Sequence, residues 1–206
     1  MQVELHYVSS DTMIPNAKKN LHECEYFLNN MLHSRNIEEF EINFAAFVNS
    51  ARNVTWVLKK EYSSNGRFNK WYLSKEKEMK NDELLSFFKD LRNKIDKEGI
   101  NALSFQTQIG KFNSTKDIID RPPGSAIVIN SKGVYYLVGK GTSKEDLIPA
   151  KTNAEIKTNI FLSYPPRSHL GKDITNHNVV RLCIIYYNYL KSLVEEWTAI
   201  LNEYNP

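Results

Sequence analysis

Residues 52–99 read RNVTWVLKKEYSSNGRFNKWYLSKEKEMKNDELLSFFKDLRNKIDKEG. Two helical patterns in this stretch each carry an Arg-Asn pair, Arg52-Asn53 and Arg92-Asn93. Each Arg directly follows an apolar position, Ala51 or Leu91, and so sits at the edge of an apolar stripe. A cation at such an edge calls for a carboxylate or an anionic ligand beside it, because an unpaired buried charge is costly.

The periodicity around this stretch settles the helical part of the fold. Phe40, Phe44, Phe47, Ala51, Val54, Leu58 and Tyr62 recur at helical spacing, which predicts a helix from about Ile37 to Tyr62. Ser63-Ser64-Asn65-Gly66 breaks it. A helix over about Arg67–Met79 presents Phe68, Trp71 and Tyr72 on one side. Asn81-Asp82 offers an N-cap for the next helix, with Leu84, Phe88, Leu91 and Ile95 as its stripe and Gly99 as its stop. Upstream, residues 1–15 are expected to be extended. Pro15 suits a helix start, and Ala17, Leu21, Cys24, Leu28 and Met31 mark one face of a first helix ending near Arg35.

Downstream, over residues 100–165, the helical period disappears. Ser125–Ile129 and Val134–Val138 are β-rich runs joined by Asn130-Ser131-Lys132-Gly133, which predicts a hairpin with a four-residue loop. Further strands are expected near Ile156–Ser163 and Leu103–Gln108. After Pro165-Pro166 and the loop that follows them, a last helix runs from about Asn178 to Tyr204. Its expected stripe is Val180, Cys183, Tyr187, Leu190, Val194, Trp197, Leu201 and Tyr204. The expected class is therefore mainly α. It is one domain over 1–206, a bundle of about five helices with its core in 14–99 and 177–204 and a small β insertion at about 100–165.

The chain of 206 residues is long enough to bury a core without disulfides or metal. Its net charge of +3 permits a nucleic-acid partner and does not demand one. Residues 52–99 hold 12 Lys and Arg against 8 Asp and Glu, so the remaining chain sits at −1 and the basic bias is central. Cys24 and Cys183 fall at apolar helical positions, as buried free thiols do. No basic region followed by an apolar run opens the chain, and no run reaches the ~20 apolar residues of a membrane span. A cytoplasmic protein with no membrane partner is the expectation.

The segment Leu91-Arg92-Asn93-Lys94-Ile95-Asp96-Lys97 resembles the R-N-x-x-x-H signature of HEPN domains. That superfamily's nucleases carry Arg, often with Asn beside it, and a His four to six residues on. The resemblance implies an all-helical homodimer with the signature helices face to face. It also implies a metal-independent ribonuclease site and a setting in toxin–antitoxin or phage-defence systems. The chain further resembles a group of uncharacterised bacterial proteins with RNVTWVLKKE-, FFKDLRNKIDKEG- and HLG-like segments. In this sequence Lys97 fills the His position, so the nuclease signature is incomplete.

RNA cleavage by a 2′-hydroxyl needs a base, an acid and a cation for the phosphate. Arg92 is the candidate cation and Asn93 the candidate orienting group. His169, in the loop that also holds Arg167, is the candidate acid–base residue. Arg52, Asn53, Lys97 and Arg167 are candidate nucleic-acid contacts. Lys97 suits phosphate anchoring better than base catalysis, because lysine ordinarily titrates near ~10.4. Each residue also has a plain structural role open to it. Arg92 and Asp96 are four apart and can pair, Lys97 complements a helix C-terminus, and His169 can simply hold its loop. No metal-ligand spacing occurs and no cofactor is expected. Gly139-Lys140-Gly141-Thr142 lacks the Walker glycine, because residue 134 is Val.

Two functional classes follow. One is an RNA-directed protein with a weakened or rebuilt ribonuclease site. The other is a non-catalytic helical scaffold that binds a protein partner or a small ligand. Arg52, Arg92 and Asn93 are expected to line one polar pocket, and whether both Arg-Asn pairs face one cleft with His169 is what separates the two classes.

Overall fold

The computed structural model describes residues 14–98 and 102–204. The expected extended start and the expected stop at Gly99 lie outside these residues, apart from Ile14 and Pro15. Among the described residues there are five helices, and their ends follow from local chemistry. Helix α1 (Pro15–Leu32) opens with Pro in its first turn and buries Ala17, Leu21, Cys24, Leu28 and Met31. Helix α2 (Ile37–Tyr62) is capped by Asn36, whose side chain accepts the Glu39 N–H. Glu38 and Glu39 lie at its positive end and Lys59 and Lys60 at its negative end. Helix α3 (Gly66–Asn81) is capped by Asn65, which accepts the N–H groups of Arg67 and Phe68. Helix α4 (Glu83–Glu98) begins after Asp82. Asp82 closes α3 through its own N–H to the Glu78 carbonyl and caps α4 by accepting the Leu85 N–H at 2.9 Å. Helix α5 (Val179–Tyr204) starts after Asn178, whose side chain accepts the Arg181 N–H.

The helices share an aromatic core. Trp197 is 1% exposed, with Phe68, Trp71 and Tyr62 rings 5.0, 5.3 and 5.4 Å from it. Phe88 and Tyr186 stack at 4.4 Å, and Phe47 meets both edge-on. Burying rings of this size stabilises by roughly 2–3 kcal/mol each. The buried face of α5 comprises Val179, Leu182, Cys183, Tyr186, Leu190, Leu193, Val194 and Trp197. It is therefore turned from the expected stripe at its first half, and Tyr186 rather than Tyr187 enters the core. Cys24 and Cys183 are both buried and free.

The chain divides into two compact units. The helical unit takes residues up to 102 and from 164 onward, and the second unit is Leu103–Ser163. In the second unit β1 (Leu103–Ile109) pairs antiparallel with β7 (Ile156–Leu162), from Leu103 opposite Leu162 to Ile109 opposite Ile156. Strand β2 (Ile118–Ile119) pairs with β6 (Lys151–Thr152), and β3 (Ala126–Asn130), β4 (Gly133–Val138) and β5 (Asp146–Pro149) form a three-stranded meander. Tyr136, on β4, is buried and donates its hydroxyl to the Ile119 carbonyl at 2.6 Å. Asn130 pairs with Gly133, so the hairpin loop is Ser131-Lys132 alone, two residues rather than four. The Asn130 side chain accepts the Lys132 and Gly133 N–H groups and closes that turn. In the helical unit a further hairpin, β8 (Ser168–His169) with β9 (Lys172–Asp173), precedes α5.

The expected class does not hold. The chain is not a mainly helical bundle with one small insertion. It has five helices and a β-rich region over 103–173, spread across four small sheets among the described residues. The physical reason is pairing distance. Strand β1 is completed by β7, more than forty residues downstream, and two-residue strands such as β2 and β8 have no period to detect. Short apolar runs carry little weight locally and become strands only through partners elsewhere in the chain.

Candidate functional site

The signature helix comes first. Arg92 Nη1 lies 2.8 Å from Asp96 Oδ2, one turn along α4, and both side chains are a little over one-third exposed. The guanidinium is thus directed along its own helix to a carboxylate, while its Nε is buried and has no partner among the described residues. Asn93 and Lys97 are exposed. The four residues form a solvated face with an internal ion pair, the structural role open to them from spacing alone.

His169 is held elsewhere. The β8–β9 hairpin turns at Leu170 and Gly171, with φ of 47° and 75°. Those values belong to a type I′ turn, which suits the twist of paired strands and normally selects Asn and Gly. The hairpin is fastened to the start of α4 by two adjacent carboxylates. Asp82, 8% exposed, accepts the Leu170 N–H at 2.7 Å and lies 3.1 Å from His169 Nδ1. Glu83 Oε2 accepts both the N–H and the hydroxyl of Ser168 at 3.0 Å. Burial works to raise the Asp82 carboxyl, but the donors Leu170, His169 and Leu85 outweigh it and hold the group below its ordinary value. The His169 ring stands edge-on to Tyr189 at 5.9 Å, and Tyr189 donates its hydroxyl to Glu78 at 2.8 Å. Burial, with the Glu78 carboxylate behind it, pushes the Tyr189 phenol well above its usual range. This is a positioned Asp–His pair at the N-terminus of α4. Arg92 is ten residues further along the same helix, which is about 15 Å at 1.5 Å per residue. Arg167 is exposed.

Arg52 occupies a third place. It lines a small cleft of about 150 Å³ with Thr55 of α2, Tyr72, Glu76, Met79 and Lys80 of α3, Leu85, Ser86 and Lys89 of α4, and Tyr186 of α5. Its Nη1 donates to Thr55 Oγ1 at 2.7 Å. No carboxylate pairs with it among the described residues. Glu76, the acid on the wall, is 3.2 Å from Lys59 Nζ and 3.8 Å from Lys80 Nζ. Asn53, one residue on and so about 100° round the helix, is exposed. It lines a separate groove between α1 and α2 with Trp56 and Lys60.

The structure therefore does not bring Arg52, Arg92 and Asn93 into one pocket, and it places His169 with neither Arg-Asn pair. Lysines 80 and 89 and tyrosines 72 and 186 are cleft residues that sequence reasoning missed as a site. For Tyr186 a signal was present: Leu182, Tyr186, Leu190 and Leu193 also recur at helical spacing. The glycine-rich turn after β4 is closed by its own chain. Gly139 accepts from Thr142, and the Gly141 N–H is taken by Glu145 Oε2 at 2.7 Å. A Cβ at Gly139 would stand 2.5 Å from the Lys144 carbonyl oxygen, so the glycine serves a tight turn.

Residues 11–113, half of the chain, match the family model described as bacteriophage lambda protein ea47. No curated protein and no solved structure matches the chain. The family match overturns the HEPN resemblance. That resemblance rested on Arg92-Asn93 with Lys97 in the His position, and these are the residues found on a solvated helix face with Arg92 committed to Asp96.

Proposed function

The chain belongs to the family of bacteriophage lambda protein ea47, and from that premise we propose a non-catalytic binding protein working in a phage context, its helical unit a scaffold for a small ligand. The observation that carries this reading is the dispersal of the groups that cleavage would require. A base, an acid and a phosphate-binding cation must meet within hydrogen-bond reach of one phosphate. Here Arg92 is turned to Asp96 and His169 to Asp82, about 15 Å apart along α4. The concave feature that does gather side chains from four helices is the cleft at Arg52, and concavity with a few convergent polar groups is what ligand sites share.

The test is an RNA cleavage assay in EDTA with single-stranded and hairpin substrates. Intact RNA after long incubation at micromolar protein is the expected outcome. Cleavage that disappears in Arg92→Ala or His169→Ala would overturn the reading.

A further inference from the structure

The cleft at Arg52 has an electrostatic debt. Its walls carry three cations, Arg52, Lys80 and Lys89, against one acid, Glu76. Glu76 is shared between Lys59 and Lys80, and Lys89 Nζ lies 3.2 Å from Asp90 Oδ1, so Arg52 is the lining cation left without a carboxylate among the described residues. Arg52 is half-buried, and of its five N–H donors the hydrogen bond made within the described residues is the one to Thr55. Like charges gathered round one cleft repel one another, and an anion between them relieves that repulsion.

A second observation points the same way. Tyr186 is 5% exposed and lines the cleft, and its hydroxyl makes no hydrogen bond among the described residues and is not among the fully buried polar atoms, so this donor is open to the cleft. A donor that reaches a cleft and has no partner within the protein is free to bond a ligand or water there. Burial also pushes the Tyr186 phenol above its ordinary value, so it remains a donor at neutral pH.

We infer that this cleft binds a terminal phosphate group, with Arg52 and Tyr186 donating to its oxygens and Lys80 and Lys89 supplying charge at the mouth. This deepens the binding reading above and rests on it. The donors come from four helices and so from several directions, which matches a tetrahedral oxyanion better than a planar carboxylate. The volume of about 150 Å³ admits a phosphate and excludes a whole drug-sized molecule, for which pockets run about 300–1,000 Å³. A phosphodiester within a strand continues on both sides, whereas a terminal phosphate enters end-on. The bearer is either a small phosphate monoester or the 5′ end of a nucleic acid.

The experiment is calorimetric titration of the full chain with four probes: inorganic phosphate, a 5′-mononucleotide, a short 5′-phosphorylated RNA and the same RNA ending in a 5′-hydroxyl. Phosphate and the mononucleotide are expected to bind. Arg52→Met is expected to weaken both roughly tenfold or more, and Tyr186→Phe by several-fold, with circular dichroism unchanged. Tyr186→Phe preserves shape, so it keeps the test decisive if Arg52→Met fails to fold. Binding of the phosphorylated RNA as tight as that of the mononucleotide assigns the site to nucleic-acid ends, and its absence assigns it to small esters. Both results uphold a terminal-phosphate site. Equal binding of the two RNAs, no phosphate binding, or binding indifferent to both substitutions overturns it. RNA cleavage, by contrast, would strike the non-catalytic reading and leave this measurement standing on its own.

Discussion

His169 Nδ1 lies 3.1 Å from Asp82 Oδ1, joining residues 87 apart in the chain. The contact ties the hairpin before α5 to the cap of α4, so one residue ends a helix through its backbone N–H and, through its carboxylate, starts the next and holds a distant turn. Asp82→Ala removes a helix cap and leaves the Leu170 N–H without its acceptor. The expected loss is about 3 kcal/mol of unfolding free energy in urea, with the hairpin amides losing exchange protection first. A loss within experimental error would show that water replaces the carboxylate at no cost.

Acid should expose the same residue. The Asp82 pKa is depressed in the folded state below its ordinary 3.8. Its contribution to stability is therefore complete above the unfolded-state value and is lost as pH falls through the folded one. Glu196, held by Lys75 and Trp71, and Asp173, held by Thr175, are lowered too and act in the same direction. Urea midpoints are expected to be level from neutrality down to about pH 5 and to fall steeply below about pH 4. In Asp82→Asn the fall should be shallower. An identical acid limb in wild type and Asp82→Asn would remove Asp82 from the account.

The Arg92–Asp96 pair is a surface pair, with both side chains more than a third exposed. Arg92→Ala is accordingly expected to shift stability by less than about 1 kcal/mol. A loss near 3 kcal/mol in urea would instead mark Asp96 as a carboxylate that depends on its partner.

Leu170 holds a left-handed backbone with φ of 47° while about half exposed, at 53%. A β-carbon there costs roughly 1–2 kcal/mol, which the short polar side chain of Asn offsets in part by hydrogen-bonding locally. Leu170→Asn should raise the urea midpoint, by about 1 kcal/mol in free energy, with the Asp82 hydrogen bond retained. A decrease would mean that the leucine side chain makes packing contacts worth more than the strain.

What the sequence by itself determined were the helices and their ends. Apolar residues at intervals of three and four, Asn81-Asp82 as a cap and the break at 63–66 are local signals, whereas the caps at Asn36, Asn65 and Asn178 were seen in the structure. The positions of Arg52 and Arg92 at the edges of their stripes were legible on the same ground. Tertiary structure alone decided everything that depends on distant residues meeting. It paired Leu103–Ile109 with Ile156–Leu162 and so built a separate β unit where a small insertion was expected. It put Arg52 in a cleft lined from four helices and left Arg92 paired along its own helix on a solvated face, two settings that identical Arg-Asn pairs do not separate. It also turned α5 so that Tyr186 faces the cleft. Local periodicity records which face of a helix is apolar, whereas the partner that meets each edge is set by the packing of the other helices.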